Sequence, residues 1–236
     1  MTGFQKALWV TSDRISTRTA IDELLADSVS WNVRDLIVRV GGGGAARDDF
    51  DPFAHLLRGG AAVGVRIHAW ANAPFGRSSD TVEGLADLAT RYAVEGLQYD
   101  QIGDPITELV RDASAALRRA RPGIVLSATI DPDPSGTADR VLQRWPEWAA
   151  EGLLDLLCPM AYGPNDAVVA RSLSLARAAA PATRMWGGLM AYPGLRERVR
   201  AQVRAARDSG CEGAILFAYD PAQRDVIDAF AAEAER

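Results

Sequence analysis

Short apolar runs alternate with amphipathic stretches eight times along the chain, and this alternation constrains the fold more than any other feature. Each run has strand length, and apolar residues at helical spacing follow it. The predicted strands are Ala7–Val10, Leu36–Val38, Val65–Trp70, Gly96–Tyr99, Ile124–Ile130, Leu153–Pro159, Arg184–Leu189 and Gly213–Phe217. The predicted helices cover Ile21–Val29, Phe53–Leu57, Asp80–Ala93, Ile106–Ala120, Ala138–Glu151, Ala167–Ala179, Leu195–Asp208 and Ala222–Ala232. Eight strand–helix units predict an α/β fold of the (β/α)₈ TIM barrel type, with a doubly wound open sheet as the competing fold.

The 236 residues suit one such barrel with short loops, and no linker or low-complexity tract divides the chain. We therefore expect a single compact domain over residues 1–236. The formal net charge of −5 argues against a nucleic-acid partner, and no apolar run has the length of a membrane span. No signal peptide is visible, so we expect a cytoplasmic protein, or a secreted one if a leader has been removed.

Two scarce residue types exclude classes of chemistry. Cys158 and Cys211 are too few and too far apart for a zinc site or a disulfide framework, so both are expected to be reduced core residues. Lys6 is the only lysine, and it begins the first predicted strand, at the end opposite to the active site of a barrel. Schiff-base aldolases and pyridoxal-phosphate enzymes need a lysine in the site, so covalent catalysis by lysine is not expected.

A barrel carries its functional groups at the carboxyl ends of the strands and in the loops that follow. The residues predicted there are mainly carboxylates, aromatics and amides: Asp13, Arg39, His68, Trp70, Asn72, Gln98, Asp100, Gln101, Asp104, Thr129, Asp131, Tyr162, Tyr192, Tyr219 and Asp220. Aromatic faces beside carboxylates and amides suit a sugar, whose C–H faces stack and whose hydroxyls need hydrogen-bond partners. Each aromatic residue taken singly is explained equally well as packing.

The segment Val94–Pro105 places a carboxylate directly after the fourth predicted strand. Gln98 and Asp100 are two residues apart, so their side chains point to the same side of that strand. Asp104 stands before Pro105 and suits the cap of the next helix, which leaves Asp100 for chemistry. The carboxylate of Asp100 is predicted to act as a nucleophile or to stabilise an oxocarbenium-like transition state.

The third predicted strand ends with His68, Trp70 and Asn72 on one face. His68 either donates a hydrogen bond to substrate or to a carboxylate, or it is a satisfied interior histidine. A single histidine gives no His-x-His pair and no two-histidine helix, so neither a metal nor another cofactor is predicted. The glycine run at positions 41–44 is interpreted as a rim loop that allows close approach of substrate.

Glycoside hydrolysis requires two carboxylates, one ionised and one protonated, and the sequence offers several partners for Asp100. Asp131 follows the fifth predicted strand and is the first choice as proton donor, although Asp-Pro repeats are also ordinary turn formers. Asp13 and Asp220, from the first and eighth units, are weaker candidates of the same kind.

Four segments together resemble the glycosyl hydrolase-like family 10 proteins and related glycoside hydrolase barrels. They are Trp9–Ser12, His68–Asn72, Glu95–Asp100 and Cys158–Tyr162, and their order and spacing carry the resemblance. The resemblance runs over most of the chain and implies a barrel that binds or cleaves a polysaccharide, with Asp100 at the strand-four carboxylate of the family. Relatives often continue with a second aspartate, or with tyrosine and then arginine, where this chain has Gln101, Ile102 and Gly103.

The leading hypothesis is a glycoside hydrolase acting on an oligo- or polysaccharide, with Asp100 and Asp131 as its catalytic pair. The side chains expected to bind the sugar are Asp13, Arg39, His68, Trp70, Asn72, Gln98, Tyr162, Trp186, Tyr219 and Asp220. One alternative is a catalytically silent carbohydrate-binding barrel. A second is a sugar isomerase-like barrel in which Asp100, Asp131 and His68 hold a divalent metal ion.

Overall fold

Eight parallel strands close into a barrel, in chain order, in a computed structural model that describes residues 3–40, 50–72, 79–100, 107–134, 143–163 and 165–234. The strands are β1 (Gln5–Val10), β2 (Asp35–Arg39), β3 (Arg66–Asn72), β4 (Gly96–Asp100), β5 (Val125–Ile130), β6 (Leu156–Pro159), β7 (Arg184–Met190) and β8 (Gly213–Phe217). The first strand pairs with the last, with Ala7 beside Ile215, and this pairing closes the sheet. The barrel prediction is therefore confirmed, and the open-sheet alternative is wrong.

Helices follow the strands around the outside of the barrel. Those in the described residues are α1 (Arg18–Ser30), α2 (Pro52–Val63), α3 (Ser79–Arg91), α4 (Thr107–Ala120), α5 (Trp145–Ala150), α6 (Asp166–Ala179), α7 (Arg196–Asp208) and α8 (Arg224–Ala234). None of these described helices is both long and apolar enough to cross a membrane.

Capping residues explain where α2 begins and ends. Asp51 accepts a hydrogen bond from the backbone N–H of Ala54, and Pro52 occupies the first turn, where its missing N–H is no loss. Gly64 ends the helix in the left-handed region, at φ 73°. The helix thus extends beyond the predicted Phe53–Leu57, because the small residues after Leu57 remain compatible with helix.

The fifth unit shows the largest differences from the predicted boundaries. Helix α5 begins at Trp145, and residues 138–142 of the predicted Ala138–Glu151 helix lie outside the described residues. The chain then turns at Gly152, and the N–H of Leu153 still bonds to the carbonyl of Trp148. Strand β6 therefore starts at Leu156, later than the predicted Leu153.

Because successive side chains of a strand point to opposite faces of the sheet, the apolar residues of the strands form two layers. Outward-facing residues such as Leu8, Leu36 and Leu97 belong to the large core shared with the helices. Inward-facing residues fill the barrel with a second cluster: Ala7, Trp9, Ile37, Trp70, Leu156, Cys158, Trp186 and Ile215. The inside of the barrel is thus a packed core, and a ligand can only bind above it, at the mouth.

Lys6 lies at the amino end of β1, as predicted, and it is buried. Its ammonium group donates to the carbonyl of Trp31, 2.7 Å away at the end of α1, and to the carbonyl of Ala231 in α8. These bonds satisfy carbonyl groups near the ends of two helices, so the single lysine has a structural role far from the barrel mouth.

Both cysteines are buried and free, which confirms the prediction of reduced core residues. Burial raises the pKa of the Cys158 thiol far above its ordinary value, and it raises that of Cys211 to about 12. Neither thiol is therefore a nucleophile at neutral pH.

We predict that alanine at position 188 in β7 destabilises the protein, whereas alanine at position 84 in α3 stabilises it. A Cβ at Gly188 would lie 2.7 Å from the carbonyl oxygen of Pro159 and 2.9 Å from the ring of Trp9. Gly188→Ala should therefore lower the free energy of unfolding by about 1–3 kcal/mol. Gly84 is exposed in a helix with nothing within 4 Å, and Gly84→Ala should raise it by about 0.5–1 kcal/mol.

Urea denaturation of both variants and of the wild type measures these changes. Equal stability of the Gly188→Ala variant and the wild type would show that the barrel interior is less tightly packed than the contacts of Trp9 indicate.

Candidate functional site

Four aromatic rings gather at the carboxyl end of the barrel around Phe217, the last residue of β8. The ring of Phe217 meets Trp9 and Trp70 edge to face, with ring centres 6.2 and 6.4 Å away. Tyr162, from the loop after β6, lies tilted against it at 6.2 Å. We call these four residues the aromatic floor. The sequence analysis predicted Trp70 and Tyr162 but missed Phe217, although its position at a strand end was the available signal.

Asp100 ends β4 beside the aromatic floor and is partly exposed. Its Oδ1 accepts a hydrogen bond of 2.6 Å from the hydroxyl of Thr129, a buried residue of β5. This bond fixes the orientation of the carboxylate, because Thr129 is itself held in the sheet. A carboxylate oriented in this way at a barrel mouth suits attack on, or stabilisation of, an electrophilic carbon.

The hydroxyl of Tyr162 lies in the electrostatic field of Asp100. Burial and, secondly, the negative charge of Asp100 raise the pKa of Tyr162 far above its ordinary value. The phenol therefore stays protonated at any physiological pH and serves as a hydrogen-bond donor beside the carboxylate.

Arg39 ends β2 and extends over the face of Trp70 on the neighbouring strand. Its guanidinium carbon lies 5.6 Å from the ring centre, within the range of a cation–π contact. Trp70 is 7% exposed, and its indole N–H has no hydrogen-bond partner among the described residues. This indole N–H therefore lacks the acceptor that a buried donor ordinarily has.

Gln98 and Trp186 point into the barrel interior, beneath the mouth. Gln98 is fully buried, accepts a 2.6 Å hydrogen bond from the indole N–H of Trp9, and donates to Ser127 and Cys158. Trp186 pairs in register with Gly213, the first residue of β8, and packs in the inner cluster. Both residues thus support the site from below, and neither is placed to touch a sugar at the rim.

Asn72 is the register partner of Asp100 between β3 and β4, so its backbone lies at the mouth. Its side chain belongs to the part of the chain that the structure does not describe. The same holds for Gln101, Asp104 and the glycine run at 41–44, which fall outside the described residues.

His68 is committed to a buried polar cluster in the amino half of the barrel. Its Nε2 lies 3.0 Å from Oδ1 of Asp35, the first residue of β2, and Arg66 donates to both oxygens of the same carboxylate. His68 and Asp35 are almost fully buried. His68 is therefore the satisfied interior histidine of the second interpretation, and its partner is Asp35 rather than a group at the mouth.

Asp131 forms the turn that its Asp-Pro context allows. Its Oδ1 accepts a hydrogen bond of 3.0 Å from the backbone N–H of Asp133, and its own N–H donates to the buried amide of Gln143. Its second carboxylate oxygen is not part of this turn. The described contacts of Asp131 do not include Asp100.

Asp13 and Asp220 meet at Arg14 on the rim between β1 and β8. The guanidinium lies 3.4 Å from Asp13, whose side chain is 71% exposed, and 3.2 Å from Asp220. Asp220 also accepts a hydrogen bond from the N–H of Ala222 and so caps the turn before α8. These two carboxylates accordingly share the single positive charge of one arginine.

Tyr219 faces helix α1 instead of the mouth. Its hydroxyl donates to Asp27, and its ring packs edge to face on Trp31. The neighbouring loop tyrosine, Tyr192, donates to the carbonyl of Gly163 and stacks under Arg198. Tyr219 thus connects the segment after β8 to α1, and Tyr192 connects the loop after β7 to the loop after β6.

The ligand set of the metal-dependent alternative is not assembled in the described part of the chain. Those residues contain no cluster of three histidine, cysteine, aspartate or glutamate side chains able to hold a metal ion. His68 is bound to Asp35, which leaves Asp100 and Asp131 without their nitrogen ligand.

No family model matches the sequence, and no curated protein matches it. The barrel is, however, similar to solved structures of glycoside hydrolases. It matches the endo-1,4-beta-mannanase of Rhizomucor miehei with a TM-score of 0.76 and 8% identity, over 99% of this chain and 96% of that one. It matches the catalytic domain of the hyperthermophilic chitinase of Pyrococcus furiosus with a TM-score of 0.72 and 15% identity, over 100% and 97%.

A third match, to "QR15, an Aldolase", has a TM-score of 0.62 and 11% identity, over 98% of this chain and 93% of that one. Likeness at such identities shows the fold alone. The specific resemblance to glycosyl hydrolase-like family 10 thus stays a prediction.

Asp35→Asn is predicted to destabilise the protein most at neutral pH. Burial alone raises the pKa of Asp35, but hydrogen bonds from His68 and Arg66 outweigh it and hold the pKa below its ordinary value. A carboxyl group whose pKa is lower in the folded than in the unfolded protein stabilises the fold at pH values above its unfolded pKa. This stabilisation is lost as the pH falls through the pKa of the folded state. We expect a loss of about 3 kcal/mol at pH 7, at the low end for a broken buried pair because Arg66 is partly solvated.

Urea denaturation at neutral and acidic pH measures this effect, and Asp22→Asn is the matched control. Asp22 contacts His55 at 3.3 Å in an exposed pair, so its loss should change stability little. A wild-type advantage over Asp35→Asn that does not shrink in acid would contradict the ionic role of Asp35.

Proposed function

We propose that the protein is a glycoside hydrolase that acts on an oligo- or polysaccharide, with Asp100 at the reacting centre. The observation that carries the proposal is the placement of this carboxylate at the barrel mouth, oriented by Thr129 and bordered by the aromatic floor. The likeness to a mannanase and a chitinase supports the same class of reaction.

The geometry suggests how a sugar would bind. A pyranose ring stacked against Tyr162 presents its C–H face to the aromatic ring and its hydroxyls to the rim. The protonated phenol of Tyr162 donates to a sugar oxygen close to Asp100. In this position the carboxylate of Asp100 attacks the anomeric carbon, or stabilises the positive charge that develops there.

The proton donor to the leaving oxygen is assigned to Asp131, which follows the adjacent strand β5. One of its oxygens is held in the turn with Asp133, so the other oxygen would have to carry the proton. The turn fixes the position of this carboxyl group, which is a requirement for general acid catalysis.

A second candidate function is a carbohydrate-binding barrel without turnover. The contacts of the other carboxylates favour it. Asp131 closes a turn, while Asp13 and Asp220 are paired with Arg14. A protein that only binds sugar needs the aromatic floor but no second acid.

Release of reducing sugar from a broad panel of polysaccharides distinguishes the two functions. Asp100→Asn keeps the shape of the side chain and should lower release by about 10²–10⁴-fold. Asp131→Asn should cause a similar loss if Asp131 is the proton donor. Asp112→Asn makes the same change on the exposed face of α4 and should leave release unchanged.

Each outcome supports or removes one assignment. Release that survives Asp100→Asn contradicts the role of Asp100, and release that survives Asp131→Asn removes Asp131 alone. Glycan binding without release, in wild type and Asp100→Asn alike, selects the binding barrel.

A further inference from the structure

We infer that the mouth recognises an acidic sugar, a uronate whose carboxylate binds Arg39 beside Trp70. The inference rests on the proposed function, because it concerns the substrate class of the same site. It starts from two donors that the fold leaves unsatisfied next to each other.

The first donor is the guanidinium of Arg39. It is partly buried at the end of β2, and among the described residues its contact is the face of Trp70, with no carboxylate. Arg14, at the rim between β1 and β8, lies within 4 Å of both Asp13 and Asp220. Arg39, in contrast, carries a positive charge at the mouth that no described carboxylate neutralises.

The second donor is the indole N–H of Trp70. The β2–β3 register pairs Arg39 with Trp70, so the two side chains belong to adjacent strand ends. The indole N–H is buried without an acceptor, and such a group is costly unless a ligand or water supplies an oxygen. A sugar acid supplies both missing partners: an anion for the guanidinium and oxygen acceptors for the indole.

Carboxylate is the anion that the side-chain chemistry favours. The planar fork of a guanidinium binds a carboxylate through two parallel hydrogen bonds, and the ring of Trp70 beneath Arg39 supports the guanidinium through a cation–π contact.

The charge of Asp100 decides where the acid group lies. Asp100 is on β4, and β3 stands between it and Arg39. Like charges at short range repel, so a uronate would place its carboxylate on the Arg39 side of β3 and away from the reacting carboxylate. Arg39 thus acts as a specificity-determining residue for the position of the acid group relative to the scissile bond.

The test compares acids with their own uncharged esters. The probes are oligogalacturonate, oligoglucuronate and oligomannuronate, each beside its fully methyl-esterified form, with binding measured by calorimetry. Esterification removes the charge and keeps the sugar. We expect the acid of at least one pair to bind about tenfold or more tightly than its ester, and the difference to shrink in about 0.5 M salt.

Variants identify the group responsible. Arg39→Gln should bring acid and ester to within about twofold of each other, and Arg39→Lys should keep part of the preference because it keeps the charge without the fork. Arg184→Gln is the matched control, since it removes one exposed arginine at the amino end of β7, opposite to the mouth. It should keep the full preference. Thermal unfolding verifies that each variant is folded.

Equal binding of acid and ester in all three pairs overturns the inference, and so does a preference that survives Arg39→Gln in a folded protein. Failure of the proposed function has a different signature. A wild type that binds the acids without releasing reducing ends contradicts hydrolysis and leaves the acid preference standing. Release from neutral glycans with no acid preference supports hydrolysis and contradicts the role of Arg39.

Discussion

Pairing of β1 with β8 closes the sheet, and this closure brings residues distant in the chain to one rim. Phe217 of β8 contacts Trp9 of β1 and Trp70 of β3 because the sheet is closed. The closed sheet also has to be filled, and the Trp9–Gln98 hydrogen bond at its centre is part of that filling. The described part of the mouth therefore lies on a packed base, as in TIM-barrel enzymes.

Polar groups inside the barrel separate into two sets along its axis. In the amino half, Asp35, Arg66 and His68 satisfy one another and stabilise the fold. At the carboxyl end, Asp100 and Arg39 are only partly exposed and have opposite charges on either side of β3. Because the two sets are separate, the charges that a ligand can reach are those at the mouth, where binding displaces water.

The alternation of apolar runs and amphipathic stretches predicted all eight strands, because each strand contains a short run of apolar residues. The eighth strand, Gly213–Phe217, was predicted to the residue. The alternation of side chains along a strand also predicted correctly that Gln98 and Asp100 lie on the same face. It does not predict how deep in the barrel each residue lies. Gln98 is two residues closer to the barrel centre, which is enough to bury it completely.

Contacts between residues that are distant in the chain could not be predicted from the sequence. His68 bonds to Asp35, which stands 33 positions earlier at the opposite end of a strand, where no functional group was sought. Tyr219 lies beyond the end of β8, where strand alternation no longer gives the direction of a side chain, and it turns to Asp27 on α1. Local patterns predict faces and ends of elements, whereas partners depend on the register around the closed barrel.

The most direct test of a carbohydrate site centred on Asp100 is a crystal structure of the Asp100→Asn variant with an oligosaccharide from the panel. We predict a sugar ring on the aromatic floor, against Tyr162, with its anomeric carbon within about 3.5 Å of the side chain at position 100. A sugar bound elsewhere on the barrel, with the mouth empty, would contradict this assignment.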